Sequence, residues 1–251
     1  MALNTEKNFY TVLFAALMVI AVGSVLAFVA SGLSGKIAEN ERFEKQQNIL
    51  YAMGVNENAN EGSVSFIPTD RVEAEFQKYI TEQWVFQGSD KTEDVEAYLI
   101  DLKKEIAAAK NGEIPRLPVF IGERDGKIYH ILPMYGKGLW DAIWGFISVD
   151  ENLVVQGVYF DHKAETPGLG ANIKQRYFMD DFIGESILDG SRIAGISVAK
   201  GNNDPLNQRK EDNAVDALAG ATISTRAFSE ATQEAYDVYI EHRETMTKPD
   251  N

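Results

Sequence analysis

The stretch "LPVFIGERDGKIYHILPMYG", residues 117–136, decides the fold. Two apolar, β-branched and aromatic runs flank Asp125-Gly126. An Asp-Gly pair between such runs marks a two-residue hairpin, because both central positions need positive φ. The same pattern repeats downstream. "AIWGFISVDENLVVQGVYF", residues 142–160, reads as two further strands around Asp150-Glu151-Asn152. Four successive strands in a meander imply an antiparallel sheet. A helical stretch is expected near 175–188, and "RIAGISVAK", residues 192–200, as a fifth strand. A long polar loop over 201–216, with one proline, leads to a last helix reaching about His242. Phe228, Ala231, Ala235, Val238 and Tyr239 form the core face of that helix.

Upstream, residues 71–110 carry two helical patterns, Val72/Phe76/Ile80 and Val95/Leu99/Leu102/Ile106. "KIAENERFEKQQNILYAMGV", residues 36–55, reads as a helix ended by Gly54, followed by the polar loop "NENANEGS". Asn8 to Gly35 contains no charged side chain. The 25 residues from Phe9 to Leu33 exceed the roughly 20 that a helix needs to cross a bilayer. That length favours an uncleaved anchor over a signal peptide. Gly23, Ser24, Ala30, Ser31 and Gly32 either admit a close neighbouring helix or are simply tolerated in lipid. Lys7 before the span against Lys36, Arg42 and Lys45 after it weakly favours a cytoplasmic C-terminal side. The expected division is therefore an N-terminal tail (1–7), a transmembrane helix (8–35), a membrane-proximal helical segment (36–112) and an α+β domain with an antiparallel sheet and flanking helices (113–245).

Composition narrows the function. Acidic residues number 38 against 24 basic, a net charge of -14. Such a surface repels phosphate backbones, so nucleic acid is not an expected partner. The chain has no cysteine, which excludes disulfides and thiolate-held iron–sulfur clusters. His130, His162 and His242 have no ligand spacing, and no metal site is expected. No nucleophile elbow, P-loop or dinucleotide fingerprint occurs, and no catalytic acid, base or nucleophile is singled out.

Two glycine motifs remain, "GKGLWDAIW" (136–144) and "ETPGLGANI" (165–173). Each is either a tight turn or a place where backbone approaches a ligand closely. Trp140 beside such a loop offers a planar surface of the kind a flavin ring would use. In "AVDALAGATISTRAF", residues 214–228, Thr222, Ser224 or Thr225 is placed to cap a helix. The alternative is that Thr222 carries a phosphate at the positive end of that helix, with Gly220 keeping the space clear.

Together, "VLFAALMVIAVGSVLAFVASGL", "LPMYGKGLW", "ETPGLG" and "VDALAGATIST" resemble the NqrC family, one of the subunit families of Na+-translocating NADH:quinone oxidoreductases. Its flavin-binding domain is shared with the related Rnf-type electron-transport complex. The resemblance implies FMN bound covalently, as a phosphoester, to Thr222. It implies a cofactor-binding set of Thr166, Pro167, Gly168, Leu169, Gly170, Gly138, Leu139, Trp140, Gly220, Ala221, Ser224 and Thr225. Asp216, with Gly220, Ala221 and Thr222, would form the motif read by a flavin transferase. Ala219 stands where the family usually has Ser or Thr. The resemblance further implies an electron relay passing single electrons, partner membrane subunits, and a single-pass protein of the bacterial inner membrane with its domain on the periplasmic side. The helical pattern over 71–110 leans toward the sodium pump rather than the Rnf-type counterpart. A non-redox membrane adaptor, with Thr222 only a cap, is the alternative of another class.

Overall fold

A computed structural model describes residues 8–59, 62, 64–189, 192–193, 195–199, 204, 207–210 and 212–218. The chain forms two compact units, residues 1–42 and 43–251. Helix α1 (Asn8–Ala52) provides the first unit and the opening of the second. Its first part exposes Phe9, Val19, Leu26 and Phe28 in a run without charged side chains. By length and composition it can cross a membrane.

In the second unit the character of α1 changes. Ile49, Leu50, Ala52 and Met53 are fully buried. The helix stops where the sequence has Gly54, at φ +79°. Gly54 N–H donates to Tyr51 O at 2.9 Å and Val55 N–H to Leu50 O at 2.8 Å. That pair of bonds is a Schellman cap, which favours glycine because its one residue is left-handed. Arg124 Nη1 donates to Met53 O at 2.7 Å, satisfying a carbonyl the helix leaves over.

Among the described residues, one antiparallel sheet holds six strands in the order β2-β1-β3-β4-β5-β6. These are β1 (Ile80–Gln87), β2 (Asp90–Glu93), β3 (Leu117–Arg124), β4 (Lys127–Lys137), β5 (Ala142–Val149) and β6 (Val155–His162). The Asp125-Gly126 hairpin is present, with φ of 54° and 73° and Arg124 opposite Lys127. The second expected turn is present as well. Asp150 Oδ1 accepts from the N–H groups of Asn152 and Val154, at 2.8 and 3.0 Å.

Alternation along β6 gives the sheet two buried faces. Tyr159 meets Tyr51 of α1 at a ring separation of 5.8 Å, and a side chain at Gly157 would collide with Ala52 O. Phe160, one residue on, packs against Phe178 and Phe182 at 6.0 and 5.0 Å, in and just after α4 (Arg176–Asp181). Helix α2 (Thr69–Tyr79) buries Val72 and Phe76, the latter against Tyr98.

Several expectations on elements differ from the fold. Of the two helices expected over 71–110, the first is α2 and the second survives only as the short α3 (Leu102–Lys110) beyond the β1–β2 hairpin; Val95 and Leu99, assigned to its apolar face, lie outside it, and Val95 is exposed. Ile80, assigned to a helix face, begins β1 and is buried against the sheet. A helical 3.6 spacing and a strand's start coincide there, and pairing with β3 decides between them. The segment within 36–112 is thus not wholly helical, and the lean toward a sodium pump drawn from it loses its structural basis. The helix expected to reach Leu188 ends at Asp181, where the chain turns at Gly184 (φ +86°) and pairs back onto the start of β6. Val155 N–H donates to Glu185 O at 2.9 Å and Gly184 N–H to Val155 O at 2.8 Å. The expected fifth strand is two short pieces outside the main sheet, β8 (Arg192–Ile193) and β9 (Ser197–Ala199). β8 pairs with β7 (Leu188–Asp189), and β9 pairs in parallel with β10 (Ala214–Asp216), which lies inside the expected loop. The last helix, to His242, lies outside the described residues.

Candidate functional site

The antiparallel order brings two distant loops together. The β4–β5 turn holds residues 138–141, closed by Gly138 N–H donating to Asp141 O at 2.8 Å. Strand β6 runs antiparallel to β5 with His162 opposite Ile143, so the chain leaves β6 beside that turn. Lys163 N–H extends the ladder to Ala142 O at 2.9 Å. Residues 165–170 follow at once, so the two glycine motifs of the sequence are neighbours in space.

Their contacts are specific. The Trp140 backbone N–H donates to Glu165 Oε1 at 3.0 Å, and its indole Nε1–H donates to Thr166 Oγ1 at 3.1 Å. Thr166 O accepts from Leu169 N–H at 3.1 Å and from Ala171 N–H at 3.2 Å, which rolls 166–170 into a compact turn. Gly168 sits at φ +77° with nothing within 4 Å of where a side chain would begin. Gly170 opens a 3-10 turn, Gly170–Lys174, that packs on β6. Leu139, Trp140 and Leu169 remain 48%, 66% and 42% exposed. Three large apolar side chains presented to solvent beside two fixed loops form a surface suited to a flat, apolar ligand.

The surroundings are acidic but paired. Asp141's carboxyl is held below the usual carboxylate range, chiefly by the Ala142 N–H that donates to it and further by the Lys163 ammonium. Lys163 lies 3.4 Å from Asp141, and Lys174 lies 3.1 Å from Asp161. Burial pushes the Tyr135 phenol up. Among the described residues, no cluster of three or more His, Asp or Glu side chains is placed to hold a metal ion.

The structure therefore brings together Gly138, Leu139, Trp140 and Thr166–Gly170. Asp216 lies on β10, where its charge adds to the effect of burial in pushing the Asp181 carboxyl up. Gly220, Ala221, Thr222, Ser224 and Thr225 lie outside the described residues. Glu165, not among the expected site residues, is the group that joins the two loops. The sequence contains it in "ETPGLG", but its partner is 25 positions earlier and only strand pairing brings them together.

Comparison with known proteins agrees with this geometry. Residues 138–237 match the FMN-binding domain family, a span that starts at the β4–β5 turn and contains both loops. The fold and the loops at 138–141 and 165–170 are thus similar to those of an FMN-binding domain, and among the described residues one long apolar helix precedes them in sequence. Over 241 residues the chain is 29% identical to the NqrC protein of the Na(+)-translocating NADH-quinone reductase of Pseudomonas aeruginosa, covering 89% of each. It is 28% identical to the Yersinia pestis protein of the same name, covering 94% of this chain and 90% of that one. The crystal structure of the corresponding reductase protein from Parabacteroides distasonis superposes with a TM-score of 0.69 at 27% identity, covering 87% of this chain and 98% of that one. The Shewanella oneidensis NqrC structure, at 22% identity and a TM-score of 0.65, shares the fold. Along most of its length the chain is thus similar to the NqrC proteins of these reductases.

Proposed function

We propose that this chain is a membrane-anchored flavoprotein subunit of a Na+-translocating NADH:quinone reductase, relaying electrons through FMN joined by its phosphate to the Thr222 hydroxyl. The observation that carries the reading is the pair of loops bound to each other through Trp140, with Leu139, Trp140 and Leu169 exposed at their rim. Those side chains fit a planar ring. Gly168 leaves open space: among the described residues, nothing lies within 4 Å of where a side chain there would begin. When bound, FMN supplies the redox chemistry. The chain's own residues supply position. Leu139 and Leu169 exclude water, and Trp140 offers a flat face whose orientation the Thr166 bond holds. Thr166, while accepting from the indole, keeps its own O–H as a donor.

Attachment at Thr222 would follow Asp216 and the Gly220-Ala221 step, with a flavin transferase as the maturation partner. Gly138, Pro167, Gly170, Ser224 and Thr225 complete the proposed site. The anchor is α1 in the bacterial inner membrane, and the domain faces the periplasm beside the other membrane subunits. A domain of this size crosses largely regardless of flanking lysines, which outweighs the charge count. Co-expression with a flavin transferase tests the reading. Flavin fluorescence should stay with the denatured chain on a gel and vanish in Thr222→Ala. A dark native band beside a fluorescent control substrate would refute it and favour the adaptor.

A further inference from the structure

Glu165 is 4% exposed, a buried carboxylate at the edge of a site that is otherwise open. Its Oε1 accepts the Trp140 backbone N–H at 3.0 Å, and its own N–H donates to His162 Nδ1 at 3.2 Å. It therefore links the end of β6, through the backbone, to the β4–β5 turn, through its side chain. Gly138 belongs to the same arrangement. A side chain at 138 would collide with Glu165 Oε1, so the turn lacks one where the carboxylate lies. A charged acceptor makes one of the stronger hydrogen bonds available to a backbone N–H, and here it is shielded from water.

We infer that Glu165 is a positioning residue of the site: with Gly138 it locks the loop of Leu139 and Trp140 to the loop of Thr166 and Leu169, so that both walls stand in place before the flavin ring docks. This rests on the flavin reading above. Trp140 is tied twice, and the two ties differ in kind. The indole bond to Thr166 is exposed and fixes only the ring. The bond to Glu165 fixes the backbone that carries both Leu139 and Trp140. Holding the walls in advance removes an ordering cost from docking. It also confines a ring attached elsewhere, at Thr222, which a covalent tether alone would leave mobile.

The test uses the full chain in detergent, flavinylated by a co-expressed transferase, with fluorescence anisotropy and yield measured per attached flavin. In the native chain the ring should be immobile and quenched by Trp140. Glu165→Ala should keep its covalent flavin but release the ring, lowering anisotropy and raising yield. The ratio of docked to undocked loop should fall about tenfold, as expected for losing one charge-assisted bond. Glu165→Gln keeps an acceptor oxygen without its charge and should fall between native and Glu165→Ala, a partial rescue that bulk packing alone would not require. Gly138→Ala leaves Glu165 chemically intact but displaces its carboxylate. It should reproduce the Glu165→Ala result, and it carries the test if that variant does not fold. Native anisotropy and yield in both Ala variants would overturn the role of Glu165 while leaving the flavin reading intact. Equal loss in Glu165→Gln and Glu165→Ala would also overturn it. No flavin on the native chain would overturn both.

Discussion

Glu185→Gln should make the protein more stable at alkaline pH and change it little at acid pH. Glu185 is fully buried where the turn after α4 pairs back onto β6. Burial pushes its carboxyl up from the usual 4.5 to about 7, against the opposing effects of Asn207 and Lys210, with Asp212 adding to the rise. Asn207 Nδ2 donates to Glu185 Oε1 at 3.0 Å, and Lys210 Nζ stands 3.7 Å from it. Glu185 Oε2 and Asn207 Oδ1 are both buried with no hydrogen-bond partner among the described residues. One proton on Glu185 supplies a donor that such an arrangement lacks, and so does the amide of Gln. The sign follows from the raised value. The contribution to stability is fully present below pH 4.5, declines as the unfolded chain gives up its proton while the folded chain keeps it, and is lost above about 7. At about 1.36 kcal/mol per pH unit the interval is worth ~3 kcal/mol. Lys210 is 35% exposed and brings solvent to the site, so about 2 kcal/mol is the expected value. For a unit of this size that is a gain of about 4–8 °C in Tm at pH 8.5. Thermal unfolding of the full chain in detergent, followed by circular dichroism at pH 5 and 8.5, reads it directly. A difference between variant and native that does not change with pH, or a variant less stable at pH 8.5, would refute a neutral-favouring Glu185.

Thr222→Ala should give a folded, membrane-bound chain with no covalent flavin, read by in-gel fluorescence beside circular dichroism of the same sample. Gly126→Ala should cost ~1 kcal/mol, read as a lower urea midpoint; its site is open to 4 Å, so the cost is the left-handed backbone alone. Arg124→Ala should cost about 1–2 kcal/mol by the same assay, since it removes the bond to Met53 O and a cation placed 5.3 Å over the Tyr129 ring. The chain has no cysteine, so Glu113→Cys introduces a unique label site. A membrane-impermeant maleimide should label it in intact spheroplasts, and labelling only after lysis would place the domain in the cytoplasm.

What the sequence determined by itself is local. Asp125-Gly126 and Asp150 specify turns through φ signs and side-chain acceptors within five residues, so β3 to β6 are legible from the residues that form them. Gly54 stops α1 for the same kind of reason, and the uncharged run from Asn8 to Gly35 marks the span by length alone. The two glycine motifs and Trp140 could be picked out, but not their relation to each other. The tertiary structure decided what depends on pairing across the chain. Ile80 to Glu93 became strands because β3 was there to pair with, although the apolar spacing also suits a helix. Glu165 became the joint of the site because β5–β6 register sets it beside the β4–β5 turn, 25 residues back along the chain. Glu185 acquired its raised pKa only when the fold buried it, with Asn207 and Lys210 opposing the rise from across the chain. Turns and spans are properties of neighbouring residues, whereas burial and register are properties of segments that meet only after the sheet has formed.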